Sequence, residues 1–421
     1  MHPDQIVIVG AGAAGLMAAR ELGCAGRKVT VLEARDRCGG RIHPLPAAEF
    51  GYAAEAGAEF IHGEAPVTRG LLREARLAVL PVEGRPWTGK DGRLFREPSQ
   101  DRHQAKLHAA LRDLEDDLTV AEFLRRHFAG PDYEGLRHSI ERMVEGYDAA
   151  DPERASTLAL RDEWMDRGRS TQARIAGGYG ALVDFLTAEC RSHGVAIHHG
   201  STVSAIEASH GRGVVRCANG DVHAYDATVL TLPLPLLKEI ALPAAEYERA
   251  QAAAHIGFGN VIKILLRFDT RWWVDQQRDL ADLTFLLSEA RIPVWWTQHP
   301  TDLPVLTGWF GGPKTEAMAN LGEQELIAAG LASLAEIFAL DAKQPMPNLV
   351  AARAVNWVHD PLARGAYSYA TPKTRAAQAA LSKSEGGTVF FSGEALYRGR
   401  DMGTVEAALA SGLETARILL G

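Results

Sequence analysis

Cysteine is scarce in this sequence, four in 421 residues. Cys24, Cys38, Cys190 and Cys217 lie too far apart to match a metal-ligand spacing, so reduced thiols and no metal site are expected. No apolar run reaches the roughly 18 residues needed to span a bilayer. The first strand-like run begins near residue 5, which leaves no room for a signal peptide. These absences predict a cytoplasmic chain without a membrane partner. Positive charge is in deficit as well, with 45 Lys and Arg against 53 Asp and Glu, a net charge of −8. That balance argues against non-specific nucleic-acid binding and is compatible with attracting cationic ligands. Internal repeats and low-complexity segments are missing. What remains, 46% hydrophobic and 23% charged, is an ordinary globular composition. At 421 residues the chain exceeds one core and predicts two domains, as a monomer or homodimer.

What is present is concentrated first in residues 1–41. The apolar strand IVIV runs into Gly10, Gly12 and Gly15 as a helix, LMAARELGCAG, begins. Gly10 permits the tight turn, Gly12 lets backbone approach a pyrophosphate, and Gly15 allows close helix–strand packing. The diphosphate of a dinucleotide would sit on the free N–H groups and positive dipole end of that helix. A second strand, KVTVLEA, ends in Glu33, placed to accept hydrogen bonds from the ribose hydroxyls of an adenosine. A second glycine pair, Gly39–Gly40, then brings Arg41 back toward the same sheet end, where a guanidinium can complete neutralisation of the pyrophosphate. A nicotinamide enzyme would instead proceed from Glu33 into its next helix. This continuation points to FAD.

Farther along, FGYAAEAGAEFIHG is Gly/Ala-rich and should thread beneath the cofactor. Residues 80–171 are charged and helical in period, predicting a helical insertion. The α/β pattern returns at RIAGGYGALVDFL and continues through alternating strands joined by a hairpin turn at Asn219–Gly220. NVIKILLRFD, DLTFLLS, PVWWTQ and LPVLTGWFGG predict a mixed sheet flooring a substrate site. The last 60 or so residues return to the first domain. The expected class is α/β, a Rossmann-like FAD-binding domain (1–79, 172–255 and 358–421) with a discontinuous α+β substrate domain (80–171 and 256–357).

The closing block FSGEALYRGRDMGTVEAALASG delivers Glu394 at the carboxyl end of a buried strand, where ligands bind in open α/β sheets. The helix starting at Gly403–Thr404–Val405 can aim its N–H groups at the pyrimidine edge of a flavin. Lys263 sits inside the apolar strand VIKILL. It is either the wet face of an edge strand or a buried functional amine. Trp357, Tyr367 and Tyr369 precede the last cofactor strand and can wall a site for an amine, or pack as core aromatics.

Six motifs, in order, resemble the flavin-containing amine oxidases, the group of monoamine oxidases, polyamine oxidases and flavin histone demethylases. They are the fingerprint with EARDRCGGR, GAEFIHG, RIAGGYGALVDFL, GNVIKILLRF, NWVHDPLARGAYSY and FSGEAL…GTVEAALASG. The resemblance implies oxidation of a C–N bond to an imine by hydride transfer to flavin N5, with O2 reduced to hydrogen peroxide. It assigns Lys263 to a water at flavin N5, and His62, Trp357, Tyr367 and Thr404 to the substrate. Its cofactor set is Gly10, Gly12, Ala14, Gly15, Glu33, Ala34, Gly40, Arg41, Gly57, Ala58, Glu59, Val203, Trp357, Glu394, Thr404 and Val405, with the Val203 backbone on adenine. Monoamine oxidases carry a cysteine with covalent FAD where this chain has Ala366, so the FAD should be non-covalent. They carry a second sandwich tyrosine where this chain has Thr404. Two other readings share the FAD motifs: a desaturase or protoporphyrinogen-oxidase-like enzyme acting on C–C bonds, and a non-catalytic FAD-binding protein.

Overall fold

The apolar run at the N-terminus becomes the centre of a five-stranded parallel sheet. Its order is Val389–Phe391, Ala227–Leu230, Gln5–Val9, Lys28–Leu32 and Ala196–His198. Parallel strands buried on both faces must be apolar throughout, and Ile6–Val9 are at most 3% exposed. The helices Ala13–Cys24, Gly178–Ser192 and Val405–Leu420 cover one face, burying Leu16, Leu22, Leu182, Leu186, Leu409 and Leu419 in one cluster. Strands from three distant stretches thus assemble one sheet around the glycine turn. The computed structural model describes residues 3–96, 102–165, 171–209, 212–276, 278–340, 348–383 and 387–421.

A second, seven-stranded sheet runs in the order Leu349–Asn356, Val261–Phe268, Val305–Gly311, Val294–Trp296, Leu283–Ser288, Arg85–Lys90 and Arg93–Phe95. It is antiparallel except where Leu283–Ser288 meets Arg85–Lys90. The four strands expected from VIKILL to LPVLTGWF are all present, and helix Glu323–Ile337 packs on them through Leu326 and Leu334. The helical expectation for 80–171 needs correcting at its start. Residues 85–95 form a strand pair that closes the mixed sheet, and the helices described there run from Gln104 to Met165. Trp87, 2% exposed, explains the difference, because it supplies core contact with Leu283 and Leu286 that a local helical period does not reveal. The Asn219–Gly220 hairpin forms as expected, with Gly220 at φ +95°. No helix among the described residues is long and apolar enough to cross a membrane.

Candidate functional site

The glycine turn sits at the carboxyl end of the central strand. Gly10 adopts φ +104°, and a Cβ on Gly15 would lie 2.0 Å from the Gly10 carbonyl oxygen. Helix Ala13–Cys24 therefore packs closer to its strand than any side chain permits. A Cβ on Gly12, by contrast, meets nothing within 4 Å. The helix has no side-chain cap, so the N–H groups of its first turn, Ala14 among them, have no capping side chain and are available to an anion. The second glycine turn lies alongside, Gly39 donating to the Ala11 carbonyl at 2.8 Å with Gly40 at φ +59°. Glu33, 6% exposed, accepts from the Ala11 N–H at 2.7 Å through one oxygen and from the Arg35 N–H at 2.8 Å through the other. Each oxygen keeps a lone pair for a ribose hydroxyl. Ala34 continues the chain from there. The Ser201 N–H donates to the Glu33 carbonyl at 2.8 Å, which sets the strand from Val203 beside that carboxylate.

Arg41 donates to Glu394 Oε1 at 2.7 Å and to the Ala366 carbonyl at 2.8 Å through one nitrogen. Arg41 and Glu394 line a cleft over the strand ends with Thr231, Ser392 and Gly393, and a Cβ on Gly393 would meet nothing within 4 Å. Glu394 takes a further hydrogen bond from the Ser368 hydroxyl. Helix Val405–Leu420 packs behind Gly393, whose N–H donates to the Ser411 hydroxyl at 3.0 Å. Thr404 is its cap: the hydroxyl accepts from the Ala407 N–H at 3.2 Å and donates to the Asp401 carbonyl at 2.6 Å. The Thr404 hydroxyl is thus engaged with its own helix turn, and the expected substrate wall at that position carries no aromatic ring. A glycine turn with an uncapped helix start, a carboxylate with free lone pairs and an arginine, with open space at Gly12 and Gly393, are a group of residues that fits a dinucleotide.

Lys263 is buried, 1% exposed, because its strand lies between two others instead of at the sheet edge. Its face of the strand turns toward the 55–60 segment. The ammonium donates to the Gly57 carbonyl at 3.1 Å and to Glu59 Oε2 at 2.9 Å. Glu59 Oε1 accepts from Arg174 Nε at 3.0 Å, Gln298 Nε2 at 2.9 Å and Trp296 Nε1 at 3.1 Å. Burial alone would raise the Glu59 carboxyl, but Lys263 and Arg174 overcome it and hold the group at about 2. The Glu59 side chain, expected on the cofactor, is therefore committed to these partners. Gly57 and Ala58 run beside Arg41, where a Cβ on Gly57 would meet the Arg41 carbonyl oxygen at 1.8 Å.

Aromatic rings fill the space next to this pair. Tyr367 stacks on Trp309 with centroids 6.4 Å apart and planes 22° apart, and its hydroxyl donates to the Tyr147 carbonyl at 2.7 Å. Trp309 continues to Trp296 at 5.8 Å, and Trp296 to Phe60 at 5.4 Å. His62 follows Phe60 and shares a 3.1 Å hydrogen bond between Nδ1 and the Tyr147 hydroxyl. Burial pushes the His62 imidazole down to about 4. Trp357 is 3% exposed and donates to the Ala56 carbonyl at 3.2 Å, which braces the 55–60 segment from below. Tyr369 instead joins the core of the helical insertion.

The sequence matches the family described as flavin containing amine oxidoreductase over residues 13–130 and 84–420. The chain belongs to that family. Its cofactor is accordingly FAD. The chain is 25% identical to human lysine-specific histone demethylase 2 over 448 residues, covering 99% of this chain and 53% of the relative. It is also 25% identical to polyamine oxidase 4 of Oryza sativa subsp. japonica, covering 98% of this chain and 88% of the relative. The chain thus spans about half the length of the demethylase and most of the polyamine oxidase. Among solved structures, wild-type putrescine oxidase bound to putrescine superimposes with a TM-score of 0.80 at 20% identity, covering 99% of both chains. Cyclohexylamine oxidase from Brevibacterium oxydans gives 0.79 at 21%, covering 99% of this chain and 98% of that one. These two likenesses concern the fold.

The flavin-family motifs led to Lys263, Tyr367 and His62 but not to Trp309, Trp296, Phe60, Tyr147 or Arg174. Trp309 had a signal. It stands opposite Lys263 in the antiparallel register, and alternation puts directly paired residues on one face. Arg174 had none, since its partner Glu59 lies 115 residues away.

Proposed function

We propose that this chain oxidises the C–N bond of a small primary or secondary amine, polyamine-like or monoamine, to an imine. FAD, bound without a covalent link, supplies the hydride acceptor, and O2 takes the electrons to give hydrogen peroxide. The observation that carries the reading is the burial of Lys263 against Gly57 and Glu59, beside the Tyr367–Trp309 stack. A cation held against the cofactor-binding segment, adjoining an aromatic wall that can face an amine, supports this reading. In this reading the glycine turns, Glu33, Arg41, Val203, Glu394 and Val405 would hold FAD, and Lys263 would hold a water beside its flavin ring. Residues 1–79, 172–255 and 358–421 bind FAD, and the remainder shapes the amine site.

The chain's own groups then have defined tasks. The rings of Tyr367 and Trp309 exclude water and offer π faces to the amine. His62, neutral above about pH 5 from its lowered pKa, adds no positive charge beside a substrate that is itself cationic in water. The family's other members support the substrate class, one relative being named a polyamine oxidase and one similar structure a putrescine oxidase. The test is anaerobic mixing of the yellow protein with spermine, putrescine and tyramine. Bleaching of the flavin by at least one amine is expected, followed by hydrogen peroxide on admitting air. A flavin that no amine bleaches would overturn the reading in favour of a C–C desaturase or a non-catalytic flavoprotein.

A further inference from the structure

The Glu59 carboxylate collects partners from three parts of the chain: Lys263 of the mixed sheet, Trp296 of the same sheet with Gln298 two residues past the end of its strand, and Arg174 from strand Gln172–Ile175. With an 8% exposed side chain, it is a buried anion satisfied on both oxygens. A buried carboxylate is tolerated only when paired and hydrogen-bonded in this way. The ammonium of Lys263 has three donors. Glu59 and the Gly57 carbonyl take two of them, and the face of Trp296 lies 5.3 Å from the nitrogen. Anchored on two sides and walled on a third, the ammonium has one orientation available for its remaining N–H. The local charge balance matters equally, since two cations, Lys263 and Arg174, meet one anion.

We propose that Glu59 is the positioning residue of the amine-oxidation site: it anchors the Lys263 ammonium and offsets half of the paired positive charge beside the flavin. The proposal rests on the reading that Lys263 acts at the cofactor. A flavin becomes easier to reduce as positive charge near it increases. Removing the Glu59 charge while keeping its shape should therefore make the flavin midpoint potential more positive. Removing the Lys263 charge should make it more negative. Glu59→Asp keeps the charge but draws the carboxylate back from the lysine by one methylene, freeing the ammonium.

The experiment is a reductive titration of the FAD-loaded protein with a reference dye, on wild type, Glu59→Gln, Glu59→Asp, Lys263→Met and the Glu59→Gln/Lys263→Met double variant. Expected are a positive shift for Glu59→Gln, a negative shift for Lys263→Met, and a Glu59→Gln effect at least halved when Lys263 is already Met. Flavin reoxidation by O2 should slow about tenfold or more in both Glu59 variants. Equal shifts from Glu59→Gln in the two backgrounds, or none at all, would overturn the positioning role. Should Glu59→Gln fail to fold, Glu59→Asp decides alone: unchanged potential and reoxidation overturn the proposal. A Lys263→Met protein with wild-type potential and reoxidation would instead remove the underlying reading of the lysine, an outcome distinct from the failure of Glu59.

Discussion

Glu55 gives the sharpest quantitative test of the buried polar layer beneath the site. It is 2% exposed. One oxygen accepts from the Gly180 N–H at 2.9 Å, capping helix Gly178–Ser192 from 125 residues away, where Gly177 offers no side chain. The other oxygen is buried with no partner among the described residues. Burial raises its pKa from the ordinary 4.5 to about 7, against the pull of the Gly180 N–H and of Lys263. The native state thus holds a proton that the unfolded chain releases above pH 4.5. Stability from this group is complete below pH 4.5, declines as pH rises, and is lost above about pH 7. At roughly 1.4 kcal/mol per tenfold change in proton affinity, the loss amounts to about 3 kcal/mol. Glu55→Gln keeps the acceptor for Gly180 and cannot ionise. Its amide gains an unpartnered N–H2, a pH-independent cost of about 1–3 kcal/mol, so absolute stability is the wrong readout. The variant's stability relative to wild type should instead improve by about 2.5 kcal/mol between pH 5 and pH 8, measured by denaturant unfolding with saturating FAD. A difference between the two proteins that is the same at both pH values would refute the argument.

Further outcomes follow from the site geometry. Gly15→Ala drives a Cβ to within 2.0 Å of the Gly10 oxygen and should destabilise the apoprotein by about 1–3 kcal/mol or more. Gly12→Ala meets no protein atom within 4 Å, so it should leave apoprotein stability unchanged yet weaken FAD binding, read as flavin content and fluorescence titration; unweakened binding would remove Gly12 from the phosphate cradle. Because burial holds His62 at about 4, the pH profile of kcat/KM between 5 and 8 should contain no inflection from it. His62→Gln should lower kcat/KM about tenfold or less through the lost Tyr147 contact, and an inflection near pH 6.5 present in wild type and absent in the variant would contradict this.

The cofactor half was legible in the sequence because its signals are local. Gly10, Gly12 and Gly15 are read by their spacing after one strand, Glu33 by its place at the end of the next, and Glu394 by the strand that delivers it. Backbone sterics and dipoles act over a few residues, so a short window contains the whole cause. The sequence by itself therefore determined the α/β class and the glycine turn with Glu33 beside it, and singled out Lys263 and Tyr367 as candidates. It left Lys263 divided between a wet sheet edge and a buried amine, since VIKILL fits both. Only the tertiary structure decided this, by placing strands Leu349–Asn356 and Val305–Gly311 on either side of it. The same holds for Glu59, whose partner Lys263 is 204 residues distant, and for residues 85–95, whose strands exist because Leu283–Ser288 offers an edge to pair with. Charge pairing and sheet closure depend on which segments meet in space, and no local periodicity records that.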